Sequence, residues 1–207
     1  IKPKAIEELS IPLEEGKLGG RNVVHTSENR YYDLKAELGR SGMGTVYKAE
    51  EIVKPGKTGS DVNKVIVRRT VALKILNLDY TGIEPEGRKR IEKEVVNRLT
   101  REMDMVMRLR HPNVVRILDY GQAGTGGDLY YTMEFLNGRD LGMHLFDNGG
   151  RLPWQAAKPI ILQVCAALEA VHGYVDKETG EKKPIIHRNV TPGNIFLAAD
   201  ENGKTSV

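Results

Sequence analysis

Leu38-Gly39-Arg40-Ser41-Gly42-Met43-Gly44-Thr45-Val46-Tyr47 sets a cluster of glycines between two stretches that read as β-strands, Tyr31–Leu38 and Thr45–Glu50. Glycine has no Cβ and reaches backbone angles that other residues avoid. The stretch therefore reads as a flexible hairpin whose backbone N–H groups can be approached closely. Hairpins of this composition are common, so its meaning depends on what flanks it. Downstream, Lys54–Asn63 carries Pro55, Gly56, Gly59 and Ser60 and reads as a polar loop. Val65–Leu76, rich in Val and Ile, reads as the returning strand, with Val71-Ala72-Leu73-Lys74 upon it.

The strongest helical pattern follows. Ile91, Val95, Val96, Leu99, Met103, Val106 and Met107 recur at three- and four-residue spacing with charges between them. Pro85 stands near its start, where a missing N–H costs little, and His111-Pro112-Asn113 should end it. Val114–Tyr120 and Leu129–Phe135 then read as strands joined by the glycine-rich turn 121–127. Beyond Asn137-Gly138 the pattern is helical, over Arg139–Phe146 and over Pro153–His172, the latter with Ile160, Ile161, Val164, Leu168 and Val171 on one face. Pro159 is tolerable only in or near that helix's first turn. Residues 1–29, with the turn pair Gly19-Gly20, read as a lead-in. The sum is five strands and one helix, a short linker near 134–138, then helices: an α+β arrangement in two lobes.

Composition sets the limits. Of 207 residues, 40% are apolar and 29% charged, ordinary for a globular domain. The net charge of +3 is spread without a dominant basic block, which argues against a nucleic-acid partner; Arg88-Lys89-Arg90 reads as a solvated helix face. The single cysteine, Cys165, excludes an internal disulfide framework, fits a reducing compartment and lies in an apolar pattern that predicts buried packing. No apolar run approaches the ~20 residues that span a bilayer, and no signal-peptide pattern opens the chain, so a cytoplasmic location is expected. Both ends read as cut: the chain begins with Ile1 and stops at Thr205-Ser206-Val207, the start of a strand. His25, His144 and His172 show no metal-ligand spacing, and His111 reads as a loop-entry residue.

The stretch Ile186-His187-Arg188-Asn189-Val190-Thr191-Pro192-Gly193-Asn194 resembles the catalytic loop of eukaryotic-type protein kinases, His-Arg-Asp-Leu-x-x-x-x-Asn. The glycine cluster resembles that family's G-x-G-x-x-G-x-V loop, with Ser41 at the second glycine, and Val71-Ala72-Leu73-Lys74 resembles its Val-Ala-Ile-Lys. Tyr131-Thr132-Met133-Glu134-Phe135-Leu136-Asn137-Gly138-Arg139-Asp140 is similar to its hinge. The resemblance covers about Tyr31 to Val207 and favours bacterial-like serine/threonine kinases. It implies a bilobal protein-kinase-like fold: a lead-in over 1–29, an N-lobe over 30–133 with a five-stranded sheet and one long helix, a hinge over 134–138, and the first helices of a helical C-lobe over 139–207.

The resemblance also assigns roles. ATP would lie between the lobes, its phosphates under Leu38 to Thr45 and against Lys74, which Glu102 would hold by an ion pair. Met133 becomes the gatekeeper, the Glu134 carbonyl and Leu136 amide meet the adenine edge, and Asp140 lies near the ribose. Val46, Ala72 and Phe196 sandwich the adenine ring. Asn189 and Thr191 fall at the phosphoacceptor, Asn194 at Mg²⁺, and His187 becomes a packed structural histidine. A protein substrate or a regulatory protein partner is implied.

Departures from the family pattern bear on activity. Asn189 stands where the family has its catalytic Asp; an amide oxygen accepts a hydrogen bond but takes up no proton at neutral pH. Thr191 replaces the lysine that neutralises phosphate charge in most such kinases. The Asp-Phe-Gly expected within about ten residues of Val207 is not in the sequence, and Asn194 alone does not complete the octahedral shell of Mg²⁺. These departures lead to an inactivated serine/threonine kinase, with a natural pseudokinase acting as a nucleotide-binding scaffold as the alternative. A split assembly completed by another chain ranks third. The helix over 153–172 should expose apolar surface.

Overall fold

The computed structural model describes residues 17–18, 21–25, 30–42, 44–53, 66–77, 84–123, 128–199 and 205–207. Met43, the Gly19-Gly20 pair, the loop expected at 54–63 and the centre of the 121–127 turn lie outside the described residues. The chain divides into two units, one running up to Met103 and adding Ile117–Phe135, the other comprising Asp104–Arg116 and Leu136–Val207.

The first unit is built on one antiparallel sheet. Its strands are β1 (Lys17–Leu18), β2 (Arg21–His25), β3 (Tyr31–Ser41), β4 (Gly44–Val53), β5 (Ile66–Leu76), β6 (Ile117–Ala123) and β7 (Asp128–Glu134), in the order β1-β2-β3-β4-β5-β7-β6. The five expected strands are all present, and β1 and β2 extend the β3 edge from a region read as lead-in. Strand alternation sorts the residues by face. Tyr47 pairs with Leu73 and Leu73 with Thr132, while Val46 pairs with Lys74 and Lys74 with Tyr131. Tyr47, Ala49, Val71, Leu73, Ile75 and Tyr130 belong to the buried core, joined by Tyr32 and Leu34 of β3.

That core contains a carboxylate. The Tyr32 hydroxyl donates to Asp119 Oδ2 at 2.7 Å, the Tyr130 hydroxyl donates to the same oxygen at 3.0 Å, and Arg30 pairs with Oδ1 at 3.4 Å. A buried carboxylate is tolerable when its oxygens are satisfied in this way. Burial, followed by the Asp119 bond, pushes the Tyr32 phenol well above its ordinary range.

Helix α1 (Pro85–Arg108) matches the apolar periodicity and stops just short of His111-Pro112-Asn113. In the second unit β8 (Gly138–Asp140) leads into α2 (Leu141–Asp147), followed by α3 (Trp154–His172), a 3-10 turn at Pro192–Asn194, β9 (Phe196–Ala199) and β10 (Thr205–Ser206). These strands form a second sheet in the order β10-β9-β8. Between α3 and the 3-10 turn, Val175 and Lys182 bridge a tight turn organised by Asp176. Asp176 accepts from Lys183 at 2.7 Å and from the Glu178 N–H at 2.9 Å, which brings its carboxyl down to about 2.

Pro159 sits early in the second turn of α3, near the first as the sequence requires, leaving the Gln155 carbonyl without its helical donor; both residues are exposed, so water can serve that carbonyl. One expectation about α3 is corrected. Cys165 is exposed rather than buried, because it lies on a face it shares with Ile161 and Leu162, themselves 48% and 57% exposed. The expected exposure of apolar surface on this helix is present, and Trp154 at its start is 63% exposed. Among the described residues no helix is long and apolar enough to cross a membrane.

Candidate nucleotide-binding and catalytic residues

In the first unit the glycine cluster forms the β3–β4 hairpin, with Gly39 opposite Val46, Arg40 opposite Thr45 and Ser41 opposite Gly44. A register shift between Glu37 and Gly39 throws out Leu38, which is 50% exposed. Gly44 is demanded by geometry: its φ is +141° and an added Cβ would strike the Ile75 carbonyl. Gly39 and Gly42 have open space where a Cβ would go, so the protein itself places no steric demand there.

Below the hairpin, pairing places Val46, Lys74 and Tyr131 side by side, and next to them Lys48, Ala72 and Met133. One sheet face thus gathers four sequence-selected residues: Val46, Ala72, Lys74 and Met133. The Lys74 ammonium lies 5.9 Å from the Tyr131 ring centroid, and burial lowers its pKa. Glu134 ends β7 on the opposite face, paired with Val71.

The structure does not bring Lys74 and Glu102 together. Among the described residues no carboxylate pairs with Lys74, and burial is the sole influence on its pKa. Glu102 instead lines a recess of about 470 Å³ on α1 with Glu94, Asn97 and Arg101.

In the second unit Asp140 and Phe196 are direct partners across β8 and β9. Asp140 also caps α2, its Oδ1 accepting the Met143 N–H at 2.8 Å. Gly138, at φ +145°, lies so close to the Leu197 carbonyl that no Cβ would fit. The Ala199 N–H donates to the Asn137 carbonyl at 2.8 Å, which fastens the chain beside Leu136 to β9.

The segment Ile185–Asn194 is held by side chains more than by regular structure. It leaves α3 with the Ile185 N–H donating to the Val171 carbonyl at 2.9 Å. Arg188 has φ +60°, the one described non-glycine residue in the left-handed region, at a cost of about 1–2 kcal/mol. Two bonds hold the residue after it. The Asn189 N–H donates to His187 Nδ1 at 3.3 Å, and Asn194 Nδ2 donates to the Asn189 carbonyl at 2.9 Å. His187 is exposed rather than packed, so its structural part is played through that ring nitrogen. Thr191 and Asn194 are exposed and joined at 2.9 Å through the Asn194 N–H and Thr191 carbonyl. Sequence reasoning missed the use of Asn194 as a backbone tether; the five-residue spacing from Asn189 was the available signal. Among the described residues no three of His, Cys, Asp and Glu are placed to hold a metal ion.

Comparison with known proteins bears on both units. A family model described as the protein kinase domain matches residues 32–206. The serine/threonine-protein kinase PknH of Mycobacterium bovis is 33% identical over 170 residues, covering 82% of this chain and 23% of its own. PrkC of Bacillus subtilis is 30% identical over 167 residues, covering 80% of this chain and 20% of its own. The crystal structure of the Mycobacterium tuberculosis PknI kinase domain superposes with a TM-score of 0.57 at 27% identity, covering 82% of this chain and 55% of that one. This chain therefore spans less than a quarter of the curated relatives it matches and about half of the solved kinase domain. The family model covers most of the chain and the solved domain shares its fold, and the chain belongs to the protein kinase family, with the protein-kinase-like fold.

Proposed function

We propose that the chain is the nucleotide-binding part of a serine/threonine protein kinase domain, and that Asn189 leaves it able to bind ATP while removing the proton-accepting step. The observation that carries this reading is the gathering of Val46, Ala72, Lys74 and Met133 on one sheet face beneath a glycine hairpin. The relatives PknH, PknE and PrkC, each named a serine/threonine-protein kinase, support the choice of substrate class.

Each group then has a physical task. Backbone N–H groups of Gly39 to Thr45 meet the phosphates, where a Cβ at Gly39 or Gly42 would intrude. The Lys74 ammonium, poorly solvated in its place on the sheet, gains most from phosphate oxygens because they restore the charge stabilisation that burial removes. In the sheet unit Val46 and Ala72 cover a purine face, Met133 limits its depth and the Glu134 carbonyl takes its polar edge; in the helical unit Leu136 and Phe196 are the residues proposed for the nucleotide. Asp140 commits Oδ1 to the helix cap and so offers Oδ2 to the ribose.

Mg²⁺, when bound, would neutralise phosphate charge. Asn194 would offer it Oδ1, since Nδ2 is engaged with Asn189, but one amide oxygen does not fit the demands of an octahedral ion. Asn189 itself can orient a substrate hydroxyl through Oδ1, yet takes no proton from it. Thr191 adds no positive charge to offset this.

A pseudokinase that binds nucleotide and answers to a regulatory protein partner is the second reading, favoured by the coincidence of Asn189 and Thr191. Asn189→Asp in the protein that carries this chain separates the two. General-base assistance contributes about 10²–10⁴-fold, so Mg²⁺-dependent phosphorylation of a serine or threonine substrate should rise by that order. Background activity with ATP still stabilising the fold selects the pseudokinase, and no stabilisation by ATP with or without Mg²⁺ defeats both readings.

A further inference from the structure

The second unit contains a polar arrangement that the nucleotide reading does not use. Asn113 lies in the connection after α1, Gln163 in the middle of α3, and Val207 follows β10. Asn113 Nδ2 donates to the Val207 carbonyl at 2.7 Å and to Gln163 Oε1 at 3.0 Å. Gln163 Oε1 accepts a second bond, from the Val207 N–H at 3.0 Å. The two carboxamides thus satisfy the donor and the acceptor of a single residue, as a neighbouring strand would.

Both residues are themselves anchored, Gln163 through its side chain and Asn113 through its backbone. Gln163 Nε2 donates to the Pro159 carbonyl at 3.2 Å, and the Asn113 N–H donates to His111 Nδ1 at 3.2 Å. Val207 stands next to Ser206, which pairs with Ala198. The backbone at Val207 is thus held by side chains beside a strand that is itself paired with β9. Through β10 these bonds reach β9, whose Phe196 pairs with Asp140.

We propose that Asn113 and Gln163 form a backbone clamp that holds Val207 beside β10, and are positioning residues for the Phe196–Asp140 pair. The part concerning nucleotide rests on the function proposed above; the clamp does not. Its polarity is specific. Asn113 must donate twice and Gln163 must accept twice from one oxygen. Gln163→Met loses that oxygen and the Nε2 donor that holds it in place. Asn113→Asp turns a double donor into an acceptor facing two acceptors.

The test is amide hydrogen exchange at Val207 in the protein that carries this chain, with the Lys183 and Ile185 amides as internal references. These references bond to the Tyr174 and Val171 carbonyls in the same unit. Asn113→Asp and Gln163→Met should speed exchange at Val207 by about tenfold or more while the references hold, and Gln155→Met, which changes an exposed glutamine of the same helix outside the clamp, should keep native protection. The two damaging variants should also weaken ATP affinity, and Gln155→Met should leave it native. Equal loss at Val207 and at the references means general loosening and overturns the clamp, as does native protection at Val207 in Asn113→Asp or Gln163→Met. Native ATP affinity in variants that have lost Val207 protection overturns the positioning role. If the native protein binds no ATP, the nucleotide reading fails while the exchange pattern still decides the clamp.

Discussion

Asn189 differs from aspartate by one NH2 in place of one oxygen, and its backbone is held from both sides by His187 Nδ1 and Asn194 Nδ2. Neither bond uses the Asn189 side chain. Asn189→Asp keeps both of these backbone bonds and should leave the protein folded, with a cooperative unfolding transition in chemical denaturation. Gly44 is the opposite case. At φ +141° beneath the Ile75 carbonyl it has room for no side chain, and Gly44→Ala should cost about 1–3 kcal/mol, measurable as a lower denaturation midpoint. Lys74 carries a pH signature. Its folded pKa is lowered from 10.5, so the unfolded chain binds the proton more tightly. Stability should then rise with pH between the lowered value and 10.5, and Lys74→Met should flatten that rise. The placing of Val46, Ala72, Lys74 and Met133 on one sheet face was legible because the motifs lie on alternating strand positions; whether Glu102 pairs with Lys74 was not, since the position of a helix residue relative to a strand residue is fixed by packing that no motif encodes.

At the scale of elements, apolar periodicity located α1 and the main strands to within a few residues. It missed β8 and β9, which at three and four residues are too short to show alternation. β8 also lies in a stretch whose Asn137-Gly138 pair carries the composition of a turn. β1 and β2 escaped for the same reason, since Gly19-Gly20 broke the pattern. The register bulge at Leu38 likewise followed from strand pairing rather than from composition. Helix α3 supplies the prediction here. Pro159→Ala returns a donor to the Gln155 carbonyl in an exposed second turn and should stabilise the protein by about 1–2 kcal/mol, less than the ~3 kcal/mol of an interior proline because water already serves that carbonyl. Thermal denaturation reads the change, and a loss of stability would show that the ring's packing outweighs the missing bond.

At the scale of the molecule, each unit carries part of the set selected from the sequence. The sheet unit carries Gly39, Gly42, Gly44, Lys74 and Met133, and the helical unit carries Asp140, Phe196, Asn189 and Asn194. The exposed apolar face of α3, with Ile161 and Leu162, should bind an environment-sensitive hydrophobic dye, and Leu162→Lys should reduce that fluorescence without lowering the melting temperature, because the side chain is 57% exposed. On the proposed function, Asn189 takes away one proton-accepting oxygen and leaves nucleotide binding in place. Calorimetric titration of the protein that carries this chain with ATP tests that account most directly. The account predicts saturable binding that Asn189→Asp leaves within about twofold and Lys74→Met weakens by about tenfold or more, the loss of one charge-assisted phosphate contact. Absence of binding by the native protein, or equal binding by Lys74→Met, would contradict it.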